Sequence, residues 1–422
     1  MVNLIKDSIA YYTRHNFLLY RQMTKITALE EMDPSELRKL EEKEAMKMIR
    51  FAVENSAFYQ KLYAKINLKG SFSDVYPKLP VITKADIRSN ESDIITDPVH
   101  LLKKAHTSGT SGSPLKMYRS AGAILKENAY VWQYRISQGL NLGDPFVSMR
   151  GVLDNKTMYY YNKAENTLYL SSYLLNKTNI KKYADLLIEF KPAAIFAFPS
   201  SLFTLSNLLE EAGLRIEVPL LFTSSETLYP FQREKIEKSL SSRIFDRYST
   251  AERTILLHEC KHGNYHPAPK YGVADFLEKG VITTGFINKA FPLIKYQIDD
   301  SFQFMNKLCK CGKGQGISSI EGRVDDVVLL EDGTRIGRLG VAFQGIPGLR
   351  YAQIIQENTK GISVNLVTAH DFKKETQDLL EKKLRQRLND SLHIRFNKVE
   401  ESDIIKTHSG KFKLVVSKVA HN

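Results

Sequence analysis

The sequence holds three cysteines, one tryptophan and no run of about 18 apolar residues. The missing apolar run excludes a transmembrane helix, so no integral membrane segment is expected. The stretch from Met1 to Ile26 is broken by Lys6, Asp7, Arg14, His15 and Arg21. It lacks the clean apolar core of a signal peptide and reads as an amphipathic helix packing on the body, with a helix lying on a membrane as the alternative. Three cysteines in 422 residues do not make a disulfide scaffold, which points to a reducing, cytoplasmic setting. No repeat of roughly 20–50 residues and no low-complexity tract appears, which excludes a solenoid. Acidic residues are in deficit: 47 against 60 basic ones, a formal net charge of +13. That excess favours an anionic partner, whether nucleotide, coenzyme, sugar phosphate, nucleic acid or membrane surface, without choosing among them.

What is present is an ordinary globular composition, 43% hydrophobic and 25% charged, long enough for two or three domains. Residues 33–65 read as helical: Asp33 supplies an N-cap, Pro34 fits the first helical position, and Leu37, Leu40, Ala45, Met48 and Ile49 recur at helical spacing. Ile180–Phe190 has helical periodicity and stops at Lys191-Pro192. The apolar run 193–198 fits a buried strand. Ser201–Ala212 then reads as helix, Pro219–Thr223 as strand and Pro230–Leu240 as helix. Such alternation predicts a parallel sheet with crossover helices. The composition changes near residue 322, after which short strand-like runs flank a strongly amphipathic helix, Phe372–Leu392, striped by Leu379, Leu380, Leu384 and Leu388. The expected class is α/β, with a large multi-sheet domain over 1–323 and a small α+β domain over 324–422.

The sharpest local signal is Thr107-Ser108-Gly109-Thr110-Ser111-Gly112-Ser113-Pro114-Leu115-Lys116. Glycines let backbone N–H groups approach an anion, hydroxyls add donors, and the lysine adds a point charge. A polyphosphate needs that combination. The glycine spacing is not the Walker pattern. Further motifs follow in order: Ser224-Ser225-Glu226 with Arg233, Tyr248-Ser249-Thr250-Ala251-Glu252, Ala290 to Asp300 (AFPLIKYQIDD), Gly322-Arg323-Val324-Asp325-Asp326, and Ser409-Gly410-Lys411.

This ordered set resembles the adenylate-forming superfamily, in its phenylacetate–CoA ligase-like and capsular-polysaccharide branch. The resemblance covers residues 107–411. It implies ATP, Mg²⁺ and a carboxylic acid substrate, with a thiol (coenzyme A) or an amine as acyl acceptor. It further implies a phosphate loop of Thr107, Ser108, Gly109, Thr110, Ser111, Gly112 and Lys116. Ser225 and Glu226 fall on the adenine side with Tyr248, Ser249 and Thr250. Glu252 would hold Mg²⁺, Asp300 the ribose, and Arg323 the ribose or a phosphate. Lys411, Glu252 and Thr110 would act on the reacting phosphate, and Asp325 would be the hinge of a mobile C-terminal domain. The sequence departs from the pattern at several places. Asp299 stands before the ribose aspartate, Lys295 replaces an arginine, Ser249 replaces a glycine, and Ser224-Ser225 replaces a Gly-Gly or Gly-Ala pair.

All three cysteines lie between residues 258 and 311. Cys260, Cys309 and Cys311 with one histidine would complete a tetrahedral structural zinc site. Related ligases of this branch carry similar segments, and His266 is the choice of fourth ligand, with His258 and His262 as alternatives. A zinc-containing nucleic-acid-binding protein is the rival class. It is disfavoured because the lysines are dispersed and no aromatic-interleaved basic motif occurs, so no nucleic-acid partner is expected. Intact Glu252, Asp300 and Lys411 argue against a degenerate ligase kept as scaffold. Tyr159, Tyr160, Tyr161, Tyr169 and Tyr173 form a further candidate lining for a sugar or aryl pocket, and Phe198-Pro199-Ser200-Ser201 is a candidate to approach the acyl group. A monomer or homodimer is expected.

Overall fold

The computed structural model describes residues 16–106, 115–149, 153, 157–172, 174–278, 280–321, 328–331, 335–336, 339–343, 346–386, 388, 392–406 and 412–419. The chain forms two compact units, each assembled from three stretches. The first takes Met1–Asp144, Asn162–Thr167 and Phe245–Ile320, and the second takes Pro145–Tyr161, Leu168–Ile244 and Glu321–Asn422.

In the first unit, helix Pro34–Asn55 starts where the sequence says it should. Asp33 caps it by accepting from the Ser35 and Glu36 N–H groups at 2.9 and 3.3 Å, and Pro34 occupies the first turn. Its end was not foreseen. At Ser56 the backbone is extended, and the buried Ser56 hydroxyl donates to the Asp93 carbonyl at 2.8 Å. A partner 37 residues away ends the helix, and a short helix, Ala57–Leu62, follows. Helix Phe17–Glu30 buries Leu19, Met23 and Ile26 in a cluster with Ala129 and Tyr130 of helix Ala121–Ser137. The amphipathic N-terminal segment thus packs on the body through its described part. Strands Arg243–Ser249, Leu256–Glu259 and Tyr265–Pro267 pair antiparallel, the last against Gln315–Glu321, which neighbours Ser301–Leu308. A second, three-stranded antiparallel sheet joins Gly272–Phe276, Val281–Gly285 and Tyr296–Ile298.

In the second unit, Phe146–Met149, Ala194–Ala197 and Leu220–Ser224 pair in parallel, as the alternation of helix and strand predicts. The crossover helices are Ile180–Phe190 and Pro199–Glu211, with Pro230–Ser239 following the third strand. Prolines at Pro199 and Pro230 fix both helix starts, because the N–H that proline lacks has no intrahelical partner there anyway. Val147, Ile195, Leu205, Leu221 and Ile244 are fully buried between these layers. The C-terminal stretch adds a four-stranded sheet in the order His393–Lys398, Gly361–Thr368, Leu349–Asn358, Val415–Ser417. Helix Lys374–Arg385 packs on it through Leu380 and Leu384, over a shorter span than the periodicity suggests. Tyr351, Val367 and Ile404 leave that sheet region to join the apolar cluster of the parallel layer.

Candidate functional site

Glu252 follows the strand Arg243–Ser249 and is buried, 6% exposed, in the first unit. Its Oε1 accepts from the Tyr296 hydroxyl at 2.9 Å, and Tyr296 is itself fully buried. The peptide just before Glu252 is pinned from the other side, where Arg119 donates to the Ala251 carbonyl at 2.5 Å. Burial, and then the nearby Arg253 cation, lower the Arg119 guanidinium from its ordinary value. Arg253 has φ 57°, in the left-handed region, and donates to the Ala123 carbonyl at 3.2 Å. Glu127 lies 3.9 Å from both Arg247 and Arg253 and accepts from the Tyr271 hydroxyl. A buried acid is therefore carried on a loop braced by arginines.

Asp300 belongs to the same unit, is buried and accepts from the Tyr248 hydroxyl at 2.5 Å. Its neighbour Asp299 is half exposed, 3.7 Å from the Lys84 ammonium and 3.2 Å from the Gln297 amide. The two adjacent acids thus have different surroundings. Thr250 Oγ1 is buried and makes no hydrogen bond among the described residues. A buried hydroxyl in that condition fits a ligand that would complete it. Two acids and an unsatisfied hydroxyl suit an ATP–Mg²⁺ complex, which needs carboxylate oxygens for the cation and polar groups for the nucleotide. Lys116 begins a strand, Lys116–Arg119, and its ammonium pairs with Glu91 at 2.7 Å. That pairing raises the Lys116 ammonium above its ordinary value.

In the second unit, Ser224 ends the strand Leu220–Ser224, and Ser225 has φ 74°. Serine stands here in a backbone region that glycine enters without strain. The Glu226 carboxylate accepts from the Ser200 N–H at 3.0 Å, the Ser200 hydroxyl at 3.1 Å and the Phe412 N–H at 2.8 Å. Arg233 donates to the Ile244 carbonyl at 3.0 Å. Tyr159, Tyr160 and Tyr161 stand on a strand with their side chains exposed. Tyr160 stacks with Tyr169 and Tyr161 meets Phe190 edge-on. Thr107, Ser108, Gly109, Thr110, Ser111, Gly112, Tyr173, Arg323, Asp325 and Lys411 lie outside the described residues.

Cys260, His266, Cys309 and Cys311 form a separate cluster in the first unit, their ligand atoms all within 4.8 Å of one another. Cys260 and Cys309 sulfurs are 3.7 Å apart, and His266 Nε2 is 3.2 Å from the Cys311 sulfur. Tetrahedral bonds of about 2.3 Å set sulfurs about 3.8 Å apart, so the donor set and spacing fit zinc. Two turns build the cluster: the Gly263 N–H donates to the Cys260 carbonyl at 2.9 Å, and the Gly312 N–H to the Cys309 carbonyl at 3.1 Å. Burial pushes the Cys311 thiol up, to about 11. Of the alternative histidines, His258 stacks on Tyr134 at 4.1 Å, and burial holds its imidazole well below the usual range.

Residues 329–418 match the CapK C-terminal domain family. The chain is 26% identical to Protein CapK of Staphylococcus aureus, over 97% of this chain and 93% of that one. It superposes on 2-hydroxyisobutyryl-CoA ligase in the postadenylation state with 2-HIB-AMP at TM-score 0.70, with 16% identity, 89% of this chain and 88% of that chain covered. Against the same ligase with 2-HIB-AMP and CoA in its thioesterification state, the TM-score is 0.58, with 17% identity, 92% of this chain and 90% of that chain covered. The chain shares the fold of that ligase, and its residues 329–418 are similar to the CapK C-terminal domain. Within that fold, sequence reasoning missed Tyr296 and Arg119 as supports of Glu252. Tyr296 lay inside a quoted motif, yet only the fold brings its hydroxyl to the acid. Arg119 carries no sequence signal, because its acceptor is a backbone carbonyl 132 residues away.

Proposed function

We propose that the chain is an AMP-forming ligase that activates a carboxylic acid with ATP and passes the acyl group to a thiol or amine. The observation that carries this reading is the pair of buried acids, Glu252 held by Tyr296 and Asp300 held by Tyr248, beside the unsatisfied hydroxyl of Thr250. In the first step a substrate carboxylate oxygen bonds the α-phosphorus, the bond to the bridging oxygen breaks, and pyrophosphate leaves. In the second, the acceptor attacks the acyl carbon, AMP leaves, and the acceptor loses a proton. Mg²⁺ when bound would offset phosphate charge. Glu252 would hold that cation, and Tyr296 and Arg119 keep its carboxylate in place. Asp300 would take the ribose hydroxyls, so it orients rather than reacts. Thr107, Ser108, Gly109, Thr110, Ser111, Gly112 and Lys116 would cradle the phosphates, with Ser225 and Ser249 lining the nucleotide. Arg323 would add a donor to ribose or phosphate, and Lys411 would stabilise charge at the α-phosphate. Asp325 would be the pivot on which residues 324–422 change orientation between the steps. Cys260, His266, Cys309 and Cys311 would hold a zinc ion away from the reaction, closed by four protein ligands and therefore structural.

Coenzyme A is one acceptor this reading allows. An amine or amino sugar, in capsular or surface polysaccharide assembly, is a second, favoured by the likeness to Protein CapK along nearly the whole chain. A screen of ATP–pyrophosphate exchange over aryl, fatty, amino and uronic acids tests the function. At least one acid class should support exchange, and Lys411→Ala should lose it while keeping ATP affinity within about an order of magnitude. Exchange at background level with every class would overturn the reading.

A further inference from the structure

Ala251 and Glu252 are the central residues of a four-residue turn, closed where the Arg253 N–H donates to the Thr250 carbonyl at 3.1 Å. One stretch of chain, residues 119–127, holds that turn from both sides. Before Glu252, Arg119 donates to the Ala251 carbonyl at 2.5 Å. After it, Arg253 donates to the Ala123 carbonyl at 3.2 Å, and its Nε lies 3.9 Å from the Glu127 carboxylate. Ala123 and Glu127 stand one turn apart on helix Ala121–Ser137, so one guanidinium can meet both. Arg253 keeps φ 57°, a conformation that an L side chain holds only where its surroundings impose it. On another side the turn rests on bare backbone: a Cβ at Gly285 would stand 2.9 Å from the Arg253 carbonyl oxygen.

We infer that Glu127 is a positioning residue for the metal-holding acid: its carboxylate holds Arg253, and with it the turn that aims Glu252. The inference rests on the proposed role of Glu252 in holding Mg²⁺. The Glu127 side chain is only 15% exposed, lies 3.9 Å from Arg247 as well as from Arg253, and accepts from the Tyr271 hydroxyl. Cations and a donor of this kind favour the ionised carboxylate, which is an acceptor only. Tyr271 is fully buried and meets Tyr130 edge-on at 5.2 Å, so the group that orients Glu127 is itself fixed. The same carboxylate bears on the other side of the turn. Burial, and then Arg253, lower the Arg119 guanidinium, and the Glu127 and Glu252 charges oppose that. Without the Glu127 charge, Arg119 and Arg253 would flank Glu252 with one counter-charge fewer. A cation on Glu252 would then be weakened both by a looser turn and by the added positive field. Glu127 acts through the turn and through its charge, and not as a metal ligand.

Glu127→Gln keeps the size of the side chain and lets the amide oxygen accept from Tyr271, while removing the charge that faces Arg253. ATP-dependent Mn²⁺ uptake by the full-length protein, followed by water proton relaxation, reads the metal without turnover. Half-saturating Mn²⁺ should rise about threefold to tenfold, the range of one lost charge interaction at a half-buried carboxylate, while ATP affinity in EDTA stays within about twofold. In pyrophosphate exchange with an acid found by the screen, half-maximal Mg²⁺ should rise by the same factor and KM for the acid should stay within about twofold. A mere loss of folded protein would lower both amplitudes and move neither midpoint. Tyr271→Phe, which frees Glu127 and keeps its charge, should shift the Mn²⁺ midpoint the same way by a smaller factor, and decides the matter if Glu127→Gln does not fold. Unshifted Mn²⁺ midpoints in the folded variants overturn the inference. So does an equal loss of ATP affinity in EDTA, which would make Glu127 a support of the nucleotide and not of the metal. Wild-type protein that takes up no Mn²⁺ with ATP overturns it as well. If wild type takes up Mn²⁺ with ATP but exchanges with no acid, the ligase reading fails, and the Mn²⁺ midpoints alone decide the role of Glu127.

Discussion

Two substitutions isolate single residues. Ser225 holds φ 74°, where an L side chain pays roughly 1 kcal/mol. Ser225→Gly should therefore be more stable by about 0.5–1 kcal/mol, less whatever the greater freedom of glycine in the unfolded chain returns. A urea melt of both proteins measures the difference, and a less stable glycine variant would show that neighbouring contacts, not the dihedral, govern the site. Tyr296→Phe removes the hydroxyl that meets Glu252 at 2.9 Å and leaves the ring in place. It should raise the Mg²⁺ concentration needed for half-maximal exchange several-fold, about 1 kcal/mol in the net hydrogen bond. An unshifted Mg²⁺ titration would remove Tyr296 from the support of Glu252. The sequence singles out Glu252 and Asp300 only through the resemblance their motif order carries, and the structure finds both buried and hydrogen-bonded to tyrosine hydroxyls. No sequence signal marks the hydroxyls and guanidinium that brace them, since their partners are chosen by tertiary folding.

Elements were readable where a local signal fixes an end. Asp33-Pro34 and Pro230 mark helix starts through a cap and a missing N–H, and each is found at one, whereas the helix expected from Ser201 starts two residues earlier, at Pro199. Ends set from a distance were not, as at Ser56, where a carbonyl from another element decides. The cysteine turns make a prediction at this scale. Purified protein grown with zinc should carry about one zinc per chain, and Cys309→Ser should lower both the zinc content and the melting temperature. Metal-free protein with an unchanged melt would sink the site. The Glu401 side chain makes another. Burial pushes its carboxyl above the ordinary glutamate value of 4.5. The protonated form is therefore the one the fold prefers. Its stabilising effect is complete below the unfolded value and is lost as pH rises through the higher folded one. Glu401→Gln, which stays neutral and still accepts from Thr204, should melt higher than wild type at pH 7. The gap should close below about pH 4.5, and a gap independent of pH would show that its charge is not the cause.

For the molecule as a whole, the excess of 13 positive charges is what the anionic substrates of the proposed ligase would call for. The composition break near residue 322 suggested a separable C-terminal domain. Tyr351, Val367 and Ile404 nevertheless lie in the apolar cluster of the parallel layer, which no composition profile reveals. A chain ended at residue 323 should therefore expose that cluster, bind a hydrophobic dye and melt lower than the full chain. Equal dye binding by both would mean the parallel layer closes its core without those side chains.

The threading of the two units carries a consequence for how the protein is made. The first 144 residues belong to a unit that is finished only when residue 320 has been synthesised. At about 5–20 residues per second, roughly ten to thirty seconds pass between those points on the ribosome. Through that interval the nascent chain presents helices whose apolar faces have no complete core. Residues 145–161 and 168–244 must likewise wait for the stretch that begins at Glu321. Both halves mature late, so a chaperone that shields apolar surface during translation should raise the yield of active protein more than one that acts after release.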